Sequence, residues 1–179
     1  MSGVIIARYD DRDLDAVIAV FQRSVREIAA ADYNPAQIEA WSRVDHSAWA
    51  APLLDRERWV ARFGADIVGF VDLGGDGHLV MLYAHPAHRR SGVARRLLRQ
   101  VETTAIALGL NALRAEVSLT ARPFFEAQGF HVVEAETVIR NEQPFRRFRM
   151  RKDGLGRVEP EIDDRRTVSD PADGDEIDA

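Results

Sequence analysis

The spacing of apolar positions changes several times along the chain, and each change marks a new element. Residues 4–9 form a short β-rich run, read as a strand. Asp11 or Asp13 is expected to cap the helix that follows. In it Leu14, Val17, Ile18, Phe21, Val25 and Ile28 recur at the helical period, giving one apolar stripe that ends near Ala31. Tyr33-Asn34-Pro35 interrupts the pattern, and Pro35 opens a short helix through Gln37, Ile38 and Trp41. Another short helix is expected over residues 47–54. Residues 58–63, 67–73 and 79–84 then read as three strands of an antiparallel meander, separated by Gly-Ala-Asp and Gly-Gly-Asp-Gly turns. The strand over 67–73 is apolar at successive positions, as a strand covered on both faces would be.

Beyond Pro86 the helical period returns. Ala94, Leu97, Leu98, Val101, Ala105 and Leu108 make the buried stripe of a helix over 92–108, closed by Gly109. Residues 113–117 read as a strand. Thr120 is expected to cap a helix over 121–128, ended by Gly129. Residues 130–140 and 145–152 form a last antiparallel pair around Asn141-Glu142-Gln143-Pro144. The pattern stops there. The chain beyond 152 has no aromatic residue and turns acidic, so a folded domain over 1–152 and a flexible tail over 153–179 are expected.

The chemistry gathers between residues 78 and 98. An apolar strand runs into Arg89-Arg90-Ser91-Gly92-Val93-Ala94, and a helix opens directly from that turn. The first amides of a helix lack intrahelical partners and the helix dipole favours negative charge there, so this is an anion site. Gly92 allows close approach of the backbone, and Arg89 and Arg90 add permanent charge. The turn has neither the Gly-x-x-x-x-Gly-Lys-Ser/Thr of a P-loop nor the Gly-x-Gly-x-x-Gly of a dinucleotide fold.

Arg89-x-x-Gly92-x-Ala94 after an apolar strand resembles motif A of the GNAT-type N-acetyltransferases. A second block over 113–130, LRAEVSLTARPFFEAQGF, resembles the later strand, helix and closing Gly-Phe of that family. The resemblance implies an α/β fold of the α+β kind. Six to seven mostly antiparallel strands would be flanked by helices, with two central strands splayed to form an acetyl-CoA cleft. It further implies that amides from Arg90 through Ser91, Gly92 and Val93 to Ala94 hold the pyrophosphate, helped by Arg89 and Arg95. Backbone groups at Leu82, Tyr83 and Ala84 would hold the pantetheine arm, and an amide near Leu82 would face the developing oxyanion. Tyr33 and Trp41 lie in the segment that covers the acceptor in that family, with Trp49 a further aromatic there.

The chain departs from that family's pattern at two positions. Phe125 stands where many relatives place a tyrosine able to protonate the departing thiolate, and Ser118 where an asparagine is common. A thiolate leaves tolerably without an acid, since a thiol ionises near pH ~8.5; Tyr83 or a water could also serve. Glu116 is the leading candidate for the base, acting through a water. Asp72, His78, His85, His88 and Tyr33 are further candidates. Two functions follow: an N-acetyltransferase passing the acetyl group of acetyl-CoA to a primary amine by direct attack in a ternary complex, or a catalytically weak acyl-CoA-binding module that senses or recruits a partner.

Composition narrows the setting. Of 179 residues none is cysteine, which excludes disulfides and a cysteine nucleophile. The net charge of −5 is misleading: residues 153–179 carry ten acidic and three basic side chains, and the remainder carries a small positive excess. No broad basic face for nucleic acid, no membrane-length apolar run and no leader pattern is visible, so a cytoplasmic protein without a metal is expected. The terminal strands could mediate a homodimer.

Overall fold

The computed structural model describes residues 3–156. Strand β1 (Ile5–Arg8) leads through a 3-10 turn into helix α1 (Leu14–Glu27). Asp13 is the residue before α1, as expected, but its side chain makes no cap bond to that helix; Asp10 caps the 3-10 turn, accepting from the Arg12 amide while Asp13 reaches back to the Asp10 amide in a capping box. Helix α2 (Pro35–Ser42) starts the same way, with Asn34 and Gln37 exchanging two bonds of 2.9 Å. Helix α3 (His46–Ala50) is capped by Asp45 and is shorter than the sequence suggests, because Pro52 follows closely.

Strands β2 (Arg56–Phe63), β3 (Asp66–Gly74) and β4 (Leu79–Ala84) extend β1 into a four-stranded antiparallel sheet. Helix α4 (Val93–Ala107) follows β4, and strand β5 (Ala112–Ser118) and helix α5 (Arg122–Ala127) follow α4. Strands β6 (His131–Arg140) and β7 (Gln143–Asp153) complete a second sheet in the order β5-β7-β6. The β6–β7 hairpin turns at Asn141 and Glu142, both at positive φ, as a tight two-residue connection requires. The folded chain runs slightly past the expected boundary: Asp153 ends β7, and Leu155 packs on the core while its amide bonds the Asn111 carbonyl. The remainder of the acidic tail lies outside the described residues.

The stripe of α4 holds in its middle but not at its ends: Val93 rather than half-buried Ala94 starts it, and Leu108, past the helix end, is exposed. Val93, Leu97, Leu98, Val101 and Ala105 are buried against Val68, Val71, Leu113, Ala115 and Val117. On the other face of the first sheet, Val17, Val20, Phe21 and Val25 of α1 pack on Val60, Ile67 and Phe70. β3 therefore has a covered side chain at nearly every position, which explains its unbroken apolar run. Gly69 is the one point on β3 where α4 comes too close for a side chain. A Cβ there would meet Val93 Cγ1 at 2.7 Å and Leu97 Cδ1 at 3.0 Å. Gly69→Ala is expected to cost about 1–3 kcal/mol by overpacking, read as a lower urea midpoint with unchanged slope.

The two sheets meet where β4 and β5 run parallel, joined by one bridge between His78 and Arg114. The Arg114 amide bonds the Gly77 carbonyl at 3.0 Å. Past that bridge the strands share no ladder and diverge. The pairing of β3 with β4 also breaks here, from Asp72↔Met81 to Leu73↔Leu79, so Val80 has no opposite residue. A bulge of this kind bends its strand, and here it lies at the start of the divergence.

Candidate active site

The diverging strands open a cavity of about 680 Å³. One wall is β4 from Leu79 to Ala84, the facing wall is Glu116, Val117 and Ser118 of β5, and the turn at the start of α4 closes one end. Val25 of α1, Ile28 and Ala29 of the connection that follows it, and Trp41 of α2 cover the other end.

The turn presents its amides. Gly92 is the residue before α4, at φ +81°, and no side chain caps the helix. Arg90 is also at positive φ, 63°. The amides of Val93, Ala94 and Arg95 belong to the first helical turn, whose N–H groups have no partner within the helix; the first such bond runs from Arg96 to the Gly92 carbonyl. Ser91 departs from expectation. Its amide and its hydroxyl both donate to the His88 carbonyl, at 3.2 and 2.6 Å, so it shapes the turn and offers no amide to an anion. Arg89, Arg90 and Arg95 are exposed and line the cavity, whereas Arg96 is turned away to the Val4 carbonyl.

Along β4 the alternation of a strand decides which backbone groups face the cleft. The His85 amide donates to Val68 of β3. The amides and carbonyls of Ala84 and Leu82 therefore point the other way, toward the cavity. That edge suits a peptide-like arm, which needs only alternate donors and acceptors.

On β5, Leu113, Ala115 and Val117 face α4, so Glu116 and Ser118 face the opposite side. Glu116 lines the cavity at its narrow end, with Oε2 2.5 Å from Nε2 of His78. The two side chains are thus within hydrogen-bond reach across the start of the divergence. Ser118 also lines the cavity, and its hydroxyl oxygen accepts from the Ala121 amide at 3.1 Å. Helix α5 has no side-chain cap: Ser118 fixes the loop before it, and Thr120, expected to cap it, donates its hydroxyl to Asp32 at 2.8 Å.

Tyr83 lies on the α1 face of β4, between the rings of Phe21 and Phe70. Burial pushes its hydroxyl up to about 12, against a lowering from the Trp41 indole N–H and Arg140. Such a phenol stays neutral at physiological pH and is a reluctant acid toward a thiolate. That weakens the expectation that it replaces the missing tyrosine. Phe125 is buried edge-on between Phe124 and Phe130 and lines the cavity as an apolar wall.

Tyr33 is the clearest correction. It is buried, its hydroxyl donates to the Arg146 carbonyl and accepts from the Leu119 amide, both at 3.0 Å, and it is not part of the cavity wall. It ties the α1–α2 connection to β7 and to the end of β5, so it is a strut under the acceptor end. Trp41 does line the cavity, stacked edge-on against Tyr33 at 5.3 Å. Trp49 packs on Phe21 and Phe70 instead.

Two of the other candidate bases are already engaged. Asp72 is fully buried and grips Arg58 through both oxygens, at 2.6 and 2.8 Å. His85 is held neutral by burial and by the Arg23 guanidinium, and because arginine only donates, its Nε2 lone pair is taken at 2.8 Å. The sequence reading missed the approach of His78 to Glu116, since their separation of 38 residues carries no periodic signal.

Comparison with known proteins agrees with this geometry. The family profile described as Acetyltransferase (GNAT) domain matches residues 29–153. An uncharacterized N-acetyltransferase of Escherichia coli (strain K12), YafP, is 34% identical over 151 residues, spanning 84% of this chain and 97% of its own length. Among solved structures, a GCN5-related N-acetyltransferase from Rhodopseudomonas palustris superposes with a TM-score of 0.81 at 30% identity, covering 86% of this chain and 97% of that one. The PaiA N-acetyltransferase of Thermoplasma acidophilum, solved with coenzyme A, shares the fold with a TM-score of 0.70 at 22% identity, covering 84% of this chain and 99% of that one.

Proposed function

The chain belongs to the GNAT family of N-acetyltransferases, and from that premise we propose that it passes the acetyl group of acetyl-CoA directly to a primary amine of a small molecule within a ternary complex. The observation that carries this reading is one continuous cleft with open helix-N-terminal amides at one end and a carboxylate at the other.

Amides of Arg90, Gly92, Val93, Ala94 and Arg95 would bind the pyrophosphate, with the three exposed arginines adding charge. The cleft-facing groups of Leu82 and Ala84 would align the pantetheine arm. The Leu82 amide would then hydrogen-bond the thioester oxygen as it gains charge. Glu116, held by its hydrogen bond to His78, would accept the amine proton through a water. The nitrogen forms its bond to the acetyl carbon, the carbon–sulfur bond breaks, and the thiolate leaves without a proton from Phe125.

Thiol release from acetyl-CoA, followed with a thiol-reactive dye across an amine panel, tests the proposal; the protein contains no cysteine to raise the background. Glu116→Gln is expected to lower kcat by about 10²-fold while the affinity for acetyl-CoA, measured by calorimetry, stays the same. A variant as fast as the parent would remove Glu116 from the chemistry.

Phe125 favours a second reading, a module that binds acyl-CoA without efficient transfer. Binding of acetyl-CoA with no thiol release from any amine class would favour that alternative.

A further inference from the structure

We infer that the acceptor end of the cavity selects a primary monoamine carried on an aromatic or similarly flat apolar body. This rests on the acetyl transfer proposed above and adds the class of amine. The walls at that end are Val25 of α1, Ile28 and Ala29 just past its end, Trp41 of α2, and Met81 and Tyr83 of β4.

The two aromatic walls are fixed in place. Trp41 packs edge-on against Tyr33 and Phe145, at 5.3 and 6.0 Å. Tyr83 is held by Phe21 and Phe70, at 5.0 and 5.6 Å. The Trp41 indole N–H is buried without a hydrogen-bond partner among the described residues, yet close enough to the Tyr83 hydroxyl to lower its pKa. A rigid aromatic pair stacks flat groups at little entropic cost, and its ring faces tolerate a nearby ammonium.

Charge at this end excludes the common alternatives. An acceptor with a carboxylate needs a cation beside it. Every arginine lining the cavity, Arg89, Arg90 and Arg95, belongs to the turn at the opposite end. On α1, Arg23 is committed to Glu27 and His85, and Arg26 to the Ser42 hydroxyl. Arg140 acts on Tyr83 through space but is not part of the wall. A polyamine would need several carboxylates. Glu116 is the one acidic residue lining the cavity among the described residues, and Asp72 is buried and closed off by Arg58. Placing an unpaired charge against Ile28 and Met81 carries a desolvation cost that an apolar body avoids.

The test compares 2-phenylethylamine, phenylalanine and spermidine as acceptors, with thiol release from acetyl-CoA as readout. The first two differ only by a carboxylate. The expected kcat/KM for 2-phenylethylamine exceeds both others by about 10²-fold. Ile28→Asp adds a second carboxylate at the wall and is expected to move the spermidine to 2-phenylethylamine ratio toward spermidine by about tenfold. That variant reports a change of preference, so it does not depend on loss of activity. Preference for spermidine or phenylalanine in the parent protein overturns the inference and leaves acetyl transfer standing. Release with none of the three, in protein that binds acetyl-CoA, counts against acetyl transfer to small amines and removes this inference with it.

Discussion

Gly92→Val is expected to weaken acetyl-CoA binding by about 10²-fold or more while the protein stays folded. The reasoning separates two costs. A Cβ at residue 92 meets no heavy atom within 4 Å, so the protein itself has room for a side chain. The backbone has none to spare: φ is +81°, where an L-residue pays about 1–2 kcal/mol and a β-branched one is an outlier. Valine would relax that angle and swing the Gly92 and Val93 amides out of line, and its methyl groups would stand where the anion must come. Arg90 already holds a positive φ of 63° in the same turn, so the turn has little slack. The thermal midpoint should drop by only a few degrees, about 2–4 °C per kcal/mol for a chain of this size. Calorimetric titration and a thermal scan on the same preparation check both halves. Binding unchanged within about threefold would mean that the pyrophosphate sits elsewhere.

Asp72→Ala is expected to have the largest effect on stability, about 3–5 kcal/mol, because it strands a buried charge. Arg58 and Asp72 face each other on β2 and β3, at relative exposures of 4% and 0%. The guanidinium lies 5.0 Å from the Tyr9 ring, 5.6 Å from Trp49 and 5.5 Å from Phe70. Its Nη1 already lacks a partner among the described residues. Removing the carboxylate would leave the whole cation among aromatic walls. Asp72 also sits at the register break opposite Met81, so the damage should reach the bulge and the cleft. Urea unfolding of Asp72→Ala, and of the double variant Arg58→Met with Asp72→Leu, measures this. The double variant should recover most of the loss, since an apolar pair of similar volume is often neutral. A loss below about 1 kcal/mol in Asp72→Ala would indicate that water reaches Arg58.

The charged pair also shows where a one-dimensional reading stops. Asp72 looked like a polar residue near a strand end and a weak candidate base, because nothing within a few residues of it reveals Arg58 across the sheet. Tyr33 was misplaced for the same reason. Its partners, the Leu119 amide and the Arg146 carbonyl, are 86 and 113 residues away. The Thr120 cap did not form, because the loop geometry turned its hydroxyl to Asp32, 88 residues away, and left α5 without a side-chain cap. In contrast, all seven strands and the five α-helices fell where period and punctuation placed them, with ends displaced by a few residues.

What the sequence determined by itself was whatever local spacing controls. The apolar period set the elements, and Gly92 with the turn around it pointed to an anion site, whereas Phe125 in place of a tyrosine was legible only through the resemblance to a family. The first two depend on residues within a turn or two of one another, where backbone geometry leaves few choices. What only the tertiary structure decided was the divergence of β4 from β5, the approach of His78 to Glu116, and the identity of the cavity's walls. Those depend on contacts between segments far apart in the chain. Their partners are chosen by packing, burial and the closing of long loops, none of which leaves a periodic trace in the order of residues.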